Sequence, residues 1–256
     1  VGPDRVEVNG KILRFKKAVV GTGGRAAVPP IPGLASAPYL TNATLYNLTA
    51  LPPRLVVIGS GAVGLEMAQA FSVFGSKVTV LVRSGRILSK ECEAASEALQ
   101  KALTADGVTF VFEAEVEAVR TLAQGSSVGG SAAALPLLSV TVRQGGGAPE
   151  QLECEALLVA TGRVPNVADL GLEDAGIKFT ADQGIQIDDL GATSNPHVFA
   201  IGDCAAGVPR FTHVAGEMAK LAVQNALFGD AWRVSSLCVP RCVYTEPEAA
   251  AVGLTP

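Results

Sequence analysis

Residues 54–73 have the sequence RLVVIGSGAVGLEMAQAFSV, in which an apolar run leads into a glycine-rich turn and then into helix-forming residues. This order of strand, turn and helix is the context in which a GxGxxG motif binds a dinucleotide. The first glycine permits the tight turn, the second lets a pyrophosphate approach the backbone, and the third lets the helix pack closely on the strand. The free N–H groups of the helix start then face the phosphates. The predicted contacts are Gly59, Gly61, Ala62, Val63 and Gly64. A glycine-rich loop without a ligand is the alternative.

The next apolar run, 77–82, predicts a strand whose end would lie beside the adenosine ribose. An acidic residue at that point accepts hydrogen bonds from a 2′-hydroxyl, but here the residue is Arg83. A guanidinium pairs with a phosphate in bidentate fashion. The sequence therefore predicts NADPH in preference to NADH, with Arg83, helped by Arg86, as the discriminating contact. A solvated arginine in a surface loop is the alternative.

The composition limits the classes of function. With 256 residues, 48% of them hydrophobic, the chain can form one or two cores. The formal net charge of −4 and the absence of a Lys/Arg block argue against a nucleic-acid partner. No apolar run approaches the ~18 residues of a membrane span. We therefore expect a globular protein with no nucleic-acid or membrane partner.

Five cysteines form neither a dense disulfide framework nor a CxxC metal motif, which favours a reducing, soluble compartment such as a cytoplasm, stroma or matrix. No metal site is predicted. Cys238 and Cys242, spaced as CVPRC, could form a redox pair. Ordinary packing is the favoured interpretation, because cysteine is commonly buried.

Apolar segments of strand length alternate with helical patterns, which predicts an α/β fold with a sheet that is at least partly parallel. Two Gly/Ser/Ala-rich segments, 124–134 and 144–149, are predicted to be loops flanking a β-hairpin. The predicted strands are 54–58, 77–82, 108–112, 137–142 and 156–160, and the predicted helices are 62–74, 92–105 and 213–228. The last helix carries an apolar face of Val214, Met218, Leu221, Ala222 and Leu227.

Three further turns follow apolar strands: VVGTGG at 19–24, VATGRVPN at 159–166 and VFAIGD at 198–203. In this order around the glycine turn, the set resembles the pyridine nucleotide-disulfide oxidoreductase family, which includes glutathione reductase, dihydrolipoyl dehydrogenase and mercuric reductase. The resemblance covers essentially the whole chain. The segments FTHVA, QNALFG and CVYTEPEAAAVGL are most similar to mercuric-reductase-like members, and VLVR agrees with their use of NADPH.

The resemblance implies an NAD(P)-binding Rossmann-like domain inserted in a split FAD-binding domain, with the first strand of an α+β dimerisation domain. The first part of the FAD-binding domain and its linker would be 1–50, and the NAD(P)-binding domain 51–165. The second part of the FAD-binding domain would be 166–233. Residues 234–256 would begin the dimerisation domain, so a homodimer is implied for the complete protein.

The resemblance also implies site residues on the flavin side. Asp203 would bind the ribityl chain of FAD, with a turn-forming aspartate as the alternative. Thr22 and Gly23 would lie near FAD. Thr212 and His213 match the flavin side of the next helix, and a structural hydrogen bond at the helix start is the alternative role for His213.

On the nicotinamide side, Gly162 would approach the nucleotide, and Val116 matches a backbone contact to the adenine. Glu66 matches the glutamate that pairs with a flavin-side lysine and helps to position the nicotinamide. An aromatic residue gates the nicotinamide pocket in many members, but Ala62 stands at that position, so this gate does not transfer.

The family passes a hydride from NAD(P)H to flavin and then electrons to a cysteine disulfide or a related acceptor. The flavin-proximal cysteine pair, the first ADP-binding unit and the terminal His-Glu segment have no match in this chain. We therefore interpret the sequence as a fragment, inactive alone, of an enzyme. A same-fold flavoprotein reductase that passes electrons to a quinone, oxygen or a metal ion is one alternative. A non-catalytic NADP(H)-binding module is the other.

Overall fold

The computed structural model of the protein describes residues 2–124, 135–229 and 231–253. The helices are α1 Ala62–Val73, α2 Glu93–Ala105 and α3 Thr212–Leu227. The strands, in chain order, are β1 Arg5–Val8, β2 Lys11–Arg14, β3 Ala18–Val20, β4 Gly24–Ala26, β5 Arg54–Ile58, β6 Lys77–Leu81, β7 Thr109–Val111, β8 Ala114–Ala123, β9 Leu137–Gln144, β10 Glu150–Cys154, β11 Ala156–Val159, β12 Arg163–Pro165, β13 Phe179–Thr180, β14 Gly184–Ile185, β15 Val198–Ala200, β16 Pro240–Val243 and β17 Ala249–Val252. The fold is α/β. Within the described residues, no helix combines the length and apolar composition that a membrane crossing requires.

The chain divides into two compact units, each made of two separate stretches. Unit 1 consists of Val1–Arg25 and Arg163–Val239, and unit 2 consists of Ala26–Gly162 and Pro240–Pro256. Unit 2 contains the glycine turn at 59–64, and unit 1 contains the turns at 19–24 and 198–203.

Unit 2 is built on a parallel four-stranded sheet in the order β11-β5-β6-β7, which confirms the predicted α/β class. Strand β5 is central and its side chains alternate between two cores. Leu55 and Val57 face the core that includes Leu65 of α1 and Leu99 of α2. Val56 and Ile58 face a second core, which the strand shares with the antiparallel sheet described next. Because both faces of β5 are covered, its sequence is a continuous apolar run.

The second sheet of unit 2 is antiparallel, in the order β10-β9-β8. The sequence predicted β9 but not β8, because β8 has no continuous apolar run and a bulge between Val116 and Ala118 interrupts the alternation of its side chains. The predicted loop at 144–149 joins β9 to β10. Almost all of the predicted loop at 124–134 lies outside the described residues.

Unit 1 has a parallel pair, β15 with β3, and the short pairs β1-β2, β13-β14 and β12-β4. Helix α3 buries Val214, Met218, Leu221 and Ala222, as its periodicity predicts. Leu227, assigned to the same face from the sequence, is 68% exposed. It is the last residue of the helix, and the chain turns away at Gly229, whose φ is +72°.

The sequence predicted one strand at the end of the chain, and the structure has two. Strands β16 and β17 form an antiparallel hairpin that belongs to unit 2. Strand β16 packs against α1, and Val243 is buried in the same core as Leu55 and Leu65. The hairpin therefore packs as part of unit 2.

Candidate nucleotide-binding sites

The three glycines of the 59–64 turn have different surroundings. A Cβ on Gly59, whose φ is +113°, would lie 2.4 Å from the carbonyl oxygen of Ala160, and one on Gly64 would lie 2.3 Å from that of Gly59. Around Gly61 there is nothing within 4 Å of the Cβ position. Packing therefore requires glycine at the first and third positions. The second is open for the approach of a ligand.

The start of α1 presents unpaired donors at this opening. The first residue to donate along the helix is Leu65, whose N–H bonds to the carbonyl of Gly61 at 3.0 Å. The N–H groups of the preceding turn, which includes Ala62 and Val63, have no acceptor within the helix. A pyrophosphate placed over Gly61 would meet these groups and the positive end of the helix dipole.

The loop after β6, residues 83–91, contains both arginines that the sequence singled out. Val82 is fully buried, and Arg83 is exposed, with no ion pair to any described residue. Arg86 is different, because its guanidinium donates to the carbonyls of Ser89 at 2.9 Å and Glu91 at 3.1 Å. Arg83 is thus available to a ligand, whereas Arg86 is already engaged within the loop.

Glu66 lies on the second turn of α1, and its Oε1 accepts a hydrogen bond from the N–H of Tyr244 at 3.0 Å. One turn later, Gln69 accepts from the N–H of Glu246 and donates to its carbonyl, both at 2.8 Å. Gln69 also donates to Asp106 Oδ2 at 2.6 Å. Helix α1 therefore holds the segment after β16 through two side chains. No local pattern in the sequence predicts this contact.

The Cys242 thiol lies on β16, close to the carboxylate of Glu66. Burial, followed by the negative charges of Glu248 and Glu66, raises its pKa. A raised pKa keeps the thiol protonated, and the thiolate is the reactive form. This environment favours the packing interpretation of Cys242 over a redox role.

Val116, the predicted adenine contact, is half-buried on β8 at the start of the bulge. It pairs with Val142, the next paired residue is Ala118, and Glu117 is the extra residue. Bulges commonly redirect the chain next to binding sites. The contact to adenine stays a prediction.

Hydrogen bonds between residues of unit 1 join the turn at 19–24 to the end of the turn at 159–166. The hydroxyl of Thr22 donates to the carbonyl of Asn166 at 2.6 Å, and the amide of Asn166 donates back to the carbonyl of Thr22 at 3.1 Å. Arg25 donates to the carbonyl of Pro165 and to Asn166 Oδ1. Gly23 has a φ of +69° and an open Cβ position, as has Gly162 with a φ of +123°. These glycines leave backbone accessible at both turns.

Asp203 is fixed by an arginine that the sequence analysis did not single out. Arg163 Nε donates to Asp203 Oδ2 at 2.7 Å, and its Nη2 donates to the carbonyl of Gly24, also at 2.7 Å. Gly202, with a φ of +65°, brings the turn so close to α3 that a Cβ would lie 2.9 Å from that of Ala215. The Asp203 carboxylate is therefore oriented, with Oδ2 paired and Oδ1 left for another donor.

Thr212 begins α3 and is exposed, as is His213, whose ring stacks on Phe211 with centroids 5.3 Å apart and an interplanar angle of 9°. Neither the flavin-proximal nor the structural role of His213 is decided by this contact. Among the described residues, no group of three or more His, Cys, Asp or Glu side chains could hold a metal ion.

Comparison with known proteins agrees with these features. The family model described as pyridine nucleotide-disulphide oxidoreductase matches residues 1–219. Mercuric reductases of Lysinibacillus sphaericus and Bacillus cereus are each 37% identical over 255 residues, which is 100% of this chain but 44% and 38% of theirs. A dihydrolipoyl dehydrogenase of Staphylococcus aureus is 33% identical over 249 residues, 96% of this chain and 49% of its own.

Among solved structures, an HOCl-induced flavoprotein disulfide reductase from Escherichia coli superposes with a TM-score of 0.85 at 28% identity. The match covers 99% of this chain and 55% of that one. The chain thus spans about half the length, or less, of the relatives that it matches. Its family membership, predicted from the four turns, is confirmed: the chain belongs to the pyridine nucleotide-disulphide oxidoreductase family.

Proposed function

We propose that the protein carrying this chain is an FAD-dependent NAD(P)H oxidoreductase. It passes a hydride from NADPH to the flavin and then electrons to a disulfide or a related acceptor. The observation that carries the proposal is the 59–64 turn, in which Gly59 and Gly64 pack against backbone while Gly61 stays open in front of α1. The family and the reductase names of the relatives support the direction of electron flow.

Residues of unit 2 would hold the nicotinamide nucleotide. The N-terminus of α1 and Gly61 would bind the pyrophosphate, and Arg83 the 2′-phosphate, which makes NADPH the preferred nucleotide over NADH. Val116 would contact the adenine. Glu66, oriented by the N–H of Tyr244, would position the nicotinamide, with Gly162 beside it.

Residues of unit 1 would hold part of FAD, which, when bound, supplies the two-electron carrier. Asp203 Oδ1 would accept a hydrogen bond from a ribityl hydroxyl, because Oδ2 is already paired with Arg163. The backbone at Thr22 and Gly23 would approach the flavin. Thr212 and His213, at the exposed start of α3, would line the same side.

We assign 1–50 and 166–233 to a split FAD-binding domain and 51–165 to the NAD(P)-binding domain. Residues 234–256 are assigned to the start of a dimerisation domain, and the complete protein to a homodimer. The discontinuous unit 1, interrupted between Arg25 and Arg163, supports the split domain. Size-exclusion chromatography with light scattering on the complete protein tests the dimer.

Anaerobic titration of the full-length protein with NADPH tests the reaction. We expect the visible absorbance of the bound flavin to be lost and to return when a disulfide acceptor is added. The variant Gly61→Val, which fills the open position, serves as the comparison and should leave the flavin oxidised. A flavin-containing protein whose flavin NADPH never reduces would overturn the proposal in favour of a non-catalytic nucleotide-binding module.

The acceptor is tested separately, with the flavin reduced by NADPH and each acceptor added in turn. We expect a disulfide or a thiol-bound substrate to reoxidise the flavin within the turnover time. Reoxidation by a quinone, oxygen or a metal ion alone would instead indicate a reductase of the same fold without a redox disulfide.

A further inference from the structure

We infer that Arg241, on β16, is a positioning residue that sets the preference for NADPH by fixing the 83–91 loop. The inference rests on the proposed function, because it assumes that Arg83 in this loop meets a 2′-phosphate. Arg241 and Arg83 are more than 150 positions apart in the chain, and the sequence pattern around Arg241, CVPRC, draws attention to its two cysteines and not to the arginine.

The middle of the 83–91 loop is anchored to the glycine turn and to the core. The N–H of Leu88 donates to the carbonyl of Ser60 at 3.1 Å. Ile87 is fully buried, and its carbonyl accepts from the buried hydroxyl of Ser96 at 2.7 Å. The loop and the turn that would hold the pyrophosphate are therefore directly connected.

Arg86 organises the loop from within. Its guanidinium donates to the carbonyls of Ser89 and Glu91, and its own carbonyl accepts from the hydroxyl of Ser84 at 2.9 Å. These bonds fold the second half of the loop back onto the first. Arg83, at the beginning of the loop, is left exposed.

Glu91 connects this folded loop to β16. Its carbonyl binds Arg86, and both of its carboxylate oxygens accept from Arg241 Nε at 2.9 Å. The two side chains are only 22% and 23% exposed, so water screens this pair less than a surface ion pair. Glu91 is thus held on the loop side through its backbone and on the β16 side through its carboxylate.

Strand β16 is itself held in place, so the Arg241 side of the Arg241–Glu91 ion pair is anchored. The residues that follow β16 are bonded to α1 through Glu66 to Tyr244 and through Gln69 to Glu246. Strand β16 therefore connects α1, which would bind the pyrophosphate, with the loop that would bind the 2′-phosphate. Binding loses less conformational entropy when the protein residues that contact the ligand are already held in place.

Removal of the Arg241 guanidinium should release Glu91 and loosen the loop around Arg86. Binding of NADPH should weaken by about 3- to 10-fold, the amount expected from the loss of preorganisation at one or two side chains. NADH binding should be unchanged, because the Leu88–Ser60 hydrogen bond and the buried Ile87 still hold the part of the loop next to the glycine turn, and NADH has no 2′-phosphate. A purely structural role would instead weaken both nucleotides.

The experiment measures the dissociation constants of NADPH and NADH on the full-length protein by titration calorimetry. The variants are Arg241→Met, Glu91→Gln, the double variant and Arg241→Lys. Arg233→Met is the matched control, since Arg233 pairs with Asp189 at 3.1 Å in unit 1. We expect each single variant to weaken NADPH only, the double variant to add nothing further, Arg241→Lys to recover part of the affinity, and the control to match the wild type.

Unchanged NADPH affinity in Glu91→Gln and Arg241→Lys, or equal weakening of NADPH and NADH, would overturn the inference. These two conservative variants keep the test decisive should Arg241→Met not fold. The failure of the proposed preference looks different: a wild type that binds both nucleotides equally overturns the role of Arg83 and this inference with it. A wild type that prefers NADPH through Arg83 but is insensitive to Arg241 overturns this inference alone.

Discussion

At the scale of single residues, the glycines of the 59–64 turn separate folding from binding. Gly59→Ala should destabilise the protein by about 1 to 3 kcal/mol, because its backbone conformation disfavours a side chain and the carbonyl of Ala160 blocks the Cβ position. Gly61→Ala should leave the stability close to that of the wild type and weaken nucleotide binding by about tenfold, or 1.4 kcal/mol. Urea denaturation and NADPH titration of the same two variants check this. Equal effects of both changes on both measurements would contradict it.

Arg83 carries the proposed discrimination between nucleotides at the same scale. Arg83→Ala should weaken NADPH binding by about 10- to 100-fold, the range for a hydrogen-bonded charge pair worth about 1.5 to 3 kcal/mol, and should leave NADH binding unchanged. Arg14→Ala, on an exposed hairpin of unit 1, is the control. Titration of each variant with both nucleotides measures the ratio. If the two nucleotides bind equally in the wild type and in Arg83→Ala, the assignment is wrong.

At the scale of elements, an ion pair joins the starts of β5 and β11. Glu155 accepts from the Arg54 N–H at 2.9 Å and from its guanidinium Nη2 at 2.6 Å. The hydrogen bond from the Arg54 side chain lowers the pKa of Glu155. A carboxylate whose folded pKa lies below its unfolded value of about 4.3 stabilises the fold above that pH, and this stabilisation disappears as the pH falls through the folded pKa.

Glu155→Gln should therefore reduce the free energy of unfolding by about 1 to 2 kcal/mol at neutral pH, the range for hydrogen bonds to charged groups. The difference from the wild type should shrink as the pH is lowered below about 4. Glu150→Gln, an exposed carboxylate on β10, is the control and should change little. Urea denaturation across this pH range gives the comparison. A difference that is independent of pH would show that Glu155 does not act through its charge.

The elements also show which parts of the structure the sequence could predict. Strand β5 and helix α1 were predicted because an apolar run buried on both faces and a glycine turn leave direct local patterns. Strand β8 was not, because it lacks a continuous apolar run and its bulge interrupts the alternation of polar and apolar residues. The roles of Arg163 and Arg241 could not be predicted, since each depends on a partner 40 or 150 positions away. Such pairs of distant residues can be identified only in the folded structure, which brings the two partners together.

At the scale of the whole molecule, the five cysteines differ in how accessible they are. All five are free thiols. Burial raises the pKa of Cys154 to about 12, and both Cys154 and Cys204 are fully buried, so neither thiol is accessible to a reagent in the folded protein. Cys242 is half-buried with a raised pKa. Only Cys92 and Cys238 are exposed.

Alkylation of the folded protein should thus label Cys92 and Cys238 rapidly, Cys242 slowly, and Cys154 and Cys204 only after denaturation, because the thiolate is the reacting species. Mass spectrometry of peptides after timed labelling measures these rates. Rapid labelling of Cys154 in the folded state would contradict its burial in the core between the two sheets of unit 2.

The same differences bear on how electrons would leave the proposed flavin. If the acceptor is a disulfide, we expect electrons to pass through a thiol pair other than these cysteines, because Cys154 and Cys204 are buried and the raised pKa of Cys242 disfavours its thiolate. The full-length protein with Cys92→Ser, Cys238→Ser and Cys242→Ser should keep the wild-type rate of NADPH-dependent disulfide reduction, within about twofold. Steady-state assays with a disulfide substrate measure it, and flavin reduction by NADPH serves as the internal control. A variant whose flavin is still reduced but whose disulfide reduction is abolished would place the redox thiols in this chain after all.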